Sequence, residues 1–296
     1  MWTLSGATIK DLAQRVWSEM QRDDVFGAAA KLAYYFLLAL FPLLIFLTSL
    51  MGLVLGPGTG LRHALFNYLS QVMPSSAFDL IDKTMLEVSR ASGAGKLSFG
   101  LLATLWASAS GVGAMMESLN TVYNANETRA WWKKRLIALG LTVALSILII
   151  GAVIVIFGGS KIAEYLGAHY GFSDALIMTW KILQWPIALM FMLLAFALIY
   201  YFAPDLHEKD WRWLTPGSVT GIALWLLVSF AFKGYLHFFD SYSKTYGSLG
   251  AVIVLMLWLY LTGAAVLIGG EINSELVNLA ADAKRKGETT PAPAGA

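Results

Sequence analysis

Six apolar runs constrain this chain more than any other feature. They cover 33–55, 97–116, 136–158, 182–203, 216–238 and 249–270. Each can carry a helix across a bilayer, since about 20 mostly apolar residues cover the roughly 30 Å of hydrocarbon. Lys233 is the one formal charge inside them, and it lies close to an end, where its ammonium can snorkel. Composition agrees: 57% of the residues are hydrophobic, against roughly 45–50% in ordinary globular chains. Charged residues make up 14%, against about 25%. That is too little charge to coat a soluble protein, and disorder needs the opposite composition. The fold class is therefore all-α, a polytopic membrane protein of six transmembrane helices. One membrane domain is expected over 1–280, with a disordered cytoplasmic tail over 281–296.

Several chemistries find no residues to work with. There is no cysteine, which removes disulfide and thiolate chemistry. The histidines His63, His169, His207 and His237 are scattered, and no cluster with metal-ligand spacing appears. Net charge is +2, without the concentrated basic face that a nucleic-acid partner needs. The phosphate-binding patterns GxxxxGK[ST] and GxGxxG and the nucleophile elbow GxSxG are all missing from the sequence. No cofactor, metal or nucleic-acid partner is expected, and an enzyme is disfavoured. Membrane lipids and a small-molecule or lipid-like substrate are the expected partners.

Lys and Arg set the orientation. Those in 1–32, 117–135, 204–215 and the C-terminal segment number 13, against eight on the other side. Both termini are therefore placed in the cytoplasm. Trp131, Trp132, Trp180, Trp185, Trp211 and Trp213 fall at run edges, as interfacial anchors do. Near the N-terminus, Ile9, Leu12, Ala13, Val16, Trp17 and Met20 share one helical face, which predicts a helix lying in the interface plane. In the loop 56–96, two helical patterns on either side of Pro74 predict an outer hairpin.

Candidate functional residues gather at the run ends. Ala103, Ala107 and Gly111 form a small-residue stripe in the second run, suited to close helix packing or to lining a path. The first run opens on Lys31, Tyr34 and Tyr35 and contains Pro42, which predicts a kink. The tyrosines suit either interfacial anchoring or a polar ligand. Glu117, Asn120 and Arg129 follow the second run, and Glu271 and Asn273 follow the sixth. An ionisable residue at such a place is a functional candidate. Glu271 reads as a coupling site or as an ion-pair clamp, with Arg129 or Lys31 as its expected partner. Tyr246 and Gly247 open the segment Tyr246-Gly247-Ser248-Leu249-Gly250, read as a turn that starts a helix, whose free N–H groups would favour an anion.

These residues carry a resemblance. Phe26 to Phe36 with Phe41-Pro42-Leu43, and Glu117-Ser118-Leu119-Asn120 with Tyr123, Glu127 and Arg129, resemble the YihY/BrkB family. So do Tyr246 to Ile253, Leu257 to Leu261, and Gly270-Glu271-Ile272-Asn273, with Pro204 and Pro216-Gly217 between. Gly269-Gly270-Glu271-Ile272-Asn273 stands where the family more often has Gly-Ala-Glu-Leu-Asn, a change that keeps carboxylate and amide. The resemblance covers about residues 20–280. It implies a bacterial inner-membrane protein of six helices, of a family described as virulence or serum-resistance factors with suspected transport roles. A transporter or exporter of a small anionic or lipid-like molecule is the expected function, and a non-transporting envelope-integrity factor the alternative. The family's older ribonuclease label finds no support in these residues.

Overall fold

A computed structural model describes residues 8–55, 94–158, 174–206, 214–238 and 241–288. The described residues form seven α-helices: α1 (Ile9–Arg22), α2 (Val25–Leu55), α3 (Ala94–Val122), α4 (Trp131–Val153), α5 (Asp174–Phe202), α6 (Pro216–Phe238) and α7 (Ser241–Glu288). A π-helical turn, Ile154–Gly158, continues α4. The fold class is all-α, as expected. The outer hairpin expected within 56–96 lies almost wholly outside the described residues.

Among the described residues, five helices are long and apolar enough to cross a membrane: α2, α4, α5, α6 and α7. The run expected as the second span forms α3, which is rich in glycine, alanine and serine. It packs along α2 and touches α4 and α7 as well. Lys31 near the start of α2 meets Glu117 near the end of α3, which makes the two helices antiparallel.

Local chemistry fixes the helix starts. Asp11 N–H donates to Thr8 Oγ1 at 3.2 Å and Thr8 N–H donates to Asp11 Oδ2 at 2.8 Å, a capping box that satisfies two orphan donors of α1. Asp24 sits at φ 46 between α1 and α2, and its carboxylate accepts from Gly27 N–H at 3.2 Å. A Cβ on Gly27 would lie 2.0 Å from that carboxylate, so the cap depends on glycine there. Pro42 and Pro186 both lie within continuous helices, α2 and α5.

The apolar face of α1 divides. Val16 and Met20 are buried, and Leu12 packs on them. Ile9 and Trp17 remain exposed. The helix therefore docks on α7 and α2 while keeping an outward apolar edge, which suits an interfacial position. Trp131, Trp132 and Trp185 are exposed too. The main core joins α1 and the start of α2 to the end of α3, the start of α4, the end of α5 and the middle of α7. Its centre includes Leu32, Met116, Leu119 and Leu267.

Two boundaries differ from the sequence reading. The segment 246–250 is helical within α7, so no turn and no helix N-terminus stand there. Two interior glycines cost about 1 kcal/mol each, and a helix of 48 residues carries that cost. At the other end, α7 runs through 281–288, where a disordered tail was expected to begin. Ala280, Ala281, Ala283, Lys284, Arg285 and Lys286 all favour helix, and Gly287 is the first residue to oppose it.

Candidate functional site

The side chain of Tyr246 falls outside the described residues, while Lys31, Glu117, Asn120, Arg129, Glu271 and Asn273, nominated from sequence, lie at the bundle end where α1 docks. They form three groups, and the groups differ in how well their hydrogen bonds are satisfied.

In the first, Glu117 holds two lysines. Lys31 Nζ lies 3.0 Å from Oε2 and Lys134 Nζ 2.9 Å from Oε1. This ties α2, α3 and α4 at one point. Burial alone would raise the Glu117 pKa, but the hydrogen bonds from Lys134 and Lys31 outweigh it and the net direction is down. Tyr34, about two and a half turns into α2, is exposed, and it meets Tyr35 edge to face at 5.5 Å. Gly111 faces α2 closely: a Cβ there would lie 3.0 Å from Ala39 Cβ and 3.4 Å from Phe36 Cδ1. At that position the small residue serves helix packing.

The second group closes the α3–α4 loop over the end of α5. Asn120 is buried. Its Nδ2 donates to Glu127 Oε2 at 2.9 Å, and its Oδ1 accepts from Asp205 N–H at 2.8 Å. Arg129 donates to both Glu127 oxygens, at 2.7 and 2.8 Å, and to the carbonyls of Phe202 and Ala203 at 3.2 and 3.0 Å. Its Nε also lies 3.6 Å from Asp205 Oδ1. Asp205 in turn accepts from the N–H and hydroxyl of Thr128. The guanidinium thus caps the last carbonyls of α5, where the helix dipole favours a cation. Hydrogen bonding from Arg129 holds the Glu127 carboxyl below the usual carboxylate range.

The third group lies where α6 begins against α7. Gly217 and Gly269 bring the two backbones together: a Cβ on Gly217 would lie 2.0 Å from the Gly269 carbonyl oxygen. Asn273 uses that proximity. Its Oδ1 accepts from Gly217 N–H at 2.9 Å and its Nδ2 donates to Thr215 Oγ1 at 3.0 Å. Thr215 and Ser218 exchange their own backbone-to-hydroxyl bonds. Asn273 therefore completes the cap of α6 across the interface. Tyr200 donates its hydroxyl to the Val266 carbonyl at 2.8 Å, pinning α5 to the same stretch of α7.

Glu271 is the exception among these residues. It is 1% exposed, and its Oε1 is buried without a hydrogen-bond partner among the described residues. Arg129 and Lys31, the partners expected from sequence, are engaged by Glu127, Asp205 and Glu117 instead. What faces Glu271 is Asp23, a residue that the sequence reading did not nominate. Asp205, Lys134 and Thr215 were missed as well. The segment Ala203-Pro204-Asp205 after an apolar run offered a helix-end signal, but nothing in one dimension pairs it with Arg129.

The sequence as a whole is similar to known proteins. A family model described as "Virulence factor BrkB" matches residues 16–294. A Bacillus subtilis protein named putative ribonuclease-like protein YfkH is 35% identical over 248 residues, covering 84% of this chain and 88% of that protein. A UPF0761 membrane protein of Aeromonas salmonicida is 26% identical over 268 residues, covering 88% of this chain and 86% of that protein. One from Tolumonas auensis is 24% identical over 268 residues. No solved structure matches.

Proposed function

The chain belongs to the virulence factor BrkB family of membrane proteins, and from that premise we propose that it is a transporter or exporter in the bacterial inner membrane. Its cargo is a small anionic or lipid-like molecule, and both termini face the cytoplasm. The observation that carries the reading is Glu271. Ionisable groups inside membrane helices are costly and mark ion or substrate pathways by default. A carboxyl oxygen left without a donor at a helix junction adds a further cost of about 1–3 kcal/mol, which a purely structural role would have removed. Glu117, Asn120, Arg129 and Asn273 are each hydrogen-bonded to protein partners, so Glu271 is where the bundle end can respond to an ion or a cargo.

A second reading has its own support. Asn120, Arg129 and Asn273 are bound into clamps and caps, as in a non-transporting envelope-integrity or serum-resistance factor. The ribonuclease-like name of the Bacillus protein does not extend to this chain, whose sequence offers neither a metal-ligand cluster nor a basic face for RNA.

The two readings separate in cells. Small molecules and lipids inside and outside would be compared for the native protein, its deletion, Glu271→Ala and Glu271→Gln, at equal protein level. Transport predicts one compound class that accumulates on one side in the deletion and in both variants. If the deletion weakens the envelope but leaves that profile unchanged, and the variants behave as native, the transport reading fails.

A further inference from the structure

Two carboxyl groups meet where α1 gives way to α2. Glu271 of α7 is almost wholly buried, with Oε1 unpartnered. Asp23, in the link between α1 and α2, lies within hydrogen-bond reach of it, and its Oδ2 is likewise buried and unpartnered. Glu19 and Arg22 face the pair from α1, Glu275 from α7 and Tyr123 from α3. The nearby cations are engaged elsewhere. Arg22 binds Glu19 at 2.7 Å, and Arg15 reaches Asp282 at 3.3 Å and Glu275 at 4.0 Å. Among the described residues no cation is hydrogen-bonded to Glu271.

Two carboxylates in contact cannot both stay ionised away from water; a site of this kind takes up a proton and titrates as a unit. One proton removes the like-charge repulsion. It also supplies the donor that the two unpartnered oxygens lack, since the O–H of one carboxyl can donate to the other. Burial, then the charge of Glu19, pushes the Asp23 carboxyl up in the same direction.

We propose that Asp23 and Glu271 form a proton-binding site that holds one shared proton at neutral pH and thereby fastens the α1–α2 link to α7. On release, a carboxyl O–H breaks, the proton passes to the aqueous side, and two facing carboxylates remain. Their repulsion loosens the link from α7. Use of this proton to drive cargo rests on the transport reading, whereas its binding does not.

Infrared difference spectroscopy on the purified full-length protein in lipid nanodiscs reads the proton directly. At neutral pH the native protein should show the C=O stretch of a protonated carboxyl, shifted by exchange into D2O and lost on titration to alkaline pH. Glu271→Gln should lack it. Asp23→Asn removes the competing charge, so the remaining carboxyl should titrate lower by about one pH unit or more. The proposal is overturned if the native protein shows no such band at neutral pH, or if the band survives unchanged in both variants. Should Glu271→Gln not fold, the native spectrum and Asp23→Asn still decide. A band found beside an unchanged cellular cargo profile would keep the proton site and end the transport reading.

Discussion

Arg129 shows what a single side chain holds together here. Its guanidinium serves a carboxylate with two nitrogens and caps the carbonyls of Phe202 and Ala203 at the end of α5. Its side chain is 10% exposed, and the Asp205 side chain beside it 13%. Arg129→Ala should cost about 3 kcal/mol, as removal of one partner from a buried ion pair does. Arg129→Lys should recover only part of that, because an ammonium cannot reproduce the planar fork. Thermal unfolding in detergent would check both, and an Arg129→Lys variant as stable as the native protein would refute the forked geometry. The pH dependence follows from Glu127, whose pKa is lowered in the fold. Its contribution is present above the ordinary carboxylate range and is lost as pH falls through the lowered value. Acidification should therefore destabilise the native protein more steeply than Glu127→Gln, which starts less stable at neutral pH. The sequence placed Asn120, Arg129, Glu271 and Asn273 at one end of the bundle. It could not pair them, because spacing along a helix gives depth while partners depend on the angle at which other helices approach. That is why Glu271 was assigned Arg129 or Lys31 and proved to face Asp23.

Between elements, glycine decides how closely helices approach. At Gly217 an added methyl would meet backbone and the Asn273 side chain at 2.0 to 2.6 Å. Backbone cannot step aside as a flexible side-chain tip can, so Gly217→Ala should separate α6 from α7 and break the Asn273 cap. The expected loss is about 1–3 kcal/mol for overpacking, with a further 1–3 kcal/mol or so for the unsatisfied Gly217 N–H. Gly113 is the matched control. Nothing lies within 4 Å of its added Cβ, so Gly113→Ala should leave stability unchanged or raise it by about 0.5–1 kcal/mol through helix propensity. Melting temperatures of the two variants test the pair, and equal losses would contradict close approach at Gly217. The small-residue stripe of α3 was visible in sequence as a face for close packing or for lining a path, and the contact of Gly111 with α2 was not. The glycines of Tyr246-Gly247-Ser248-Leu249-Gly250 suggested a turn because glycine is the usual local punctuation, and the length of α7 overrode it.

For the whole molecule, hydropathy gave the helices and charge gave their expected orientation. Among the described residues, five of the six expected spans stand out by length and apolarity. The geometry constrains the path of α3. Lys31 meets Glu117, Arg129 meets the end of α5, and Arg15 meets Asp282. The start of α2, the α3–α4 loop, the end of α5 and the far part of α7 therefore share one end of the bundle. Once α2 has crossed, the chain must return through α3 to reach Glu117. The lack of cysteine makes this directly testable, since any introduced thiol is the only one. In spheroplasts, a membrane-impermeant maleimide should label Ser75→Cys, in the loop between the first two runs, without permeabilisation. Asn126→Cys and Ala281→Cys should label only after the membrane is opened. The reverse pattern would invert the orientation read from the 13 against eight basic residues. Labelling of Ser75→Cys and Asn126→Cys from the same side would mean that α3 does not cross, and the six-span plan would then fail at that helix.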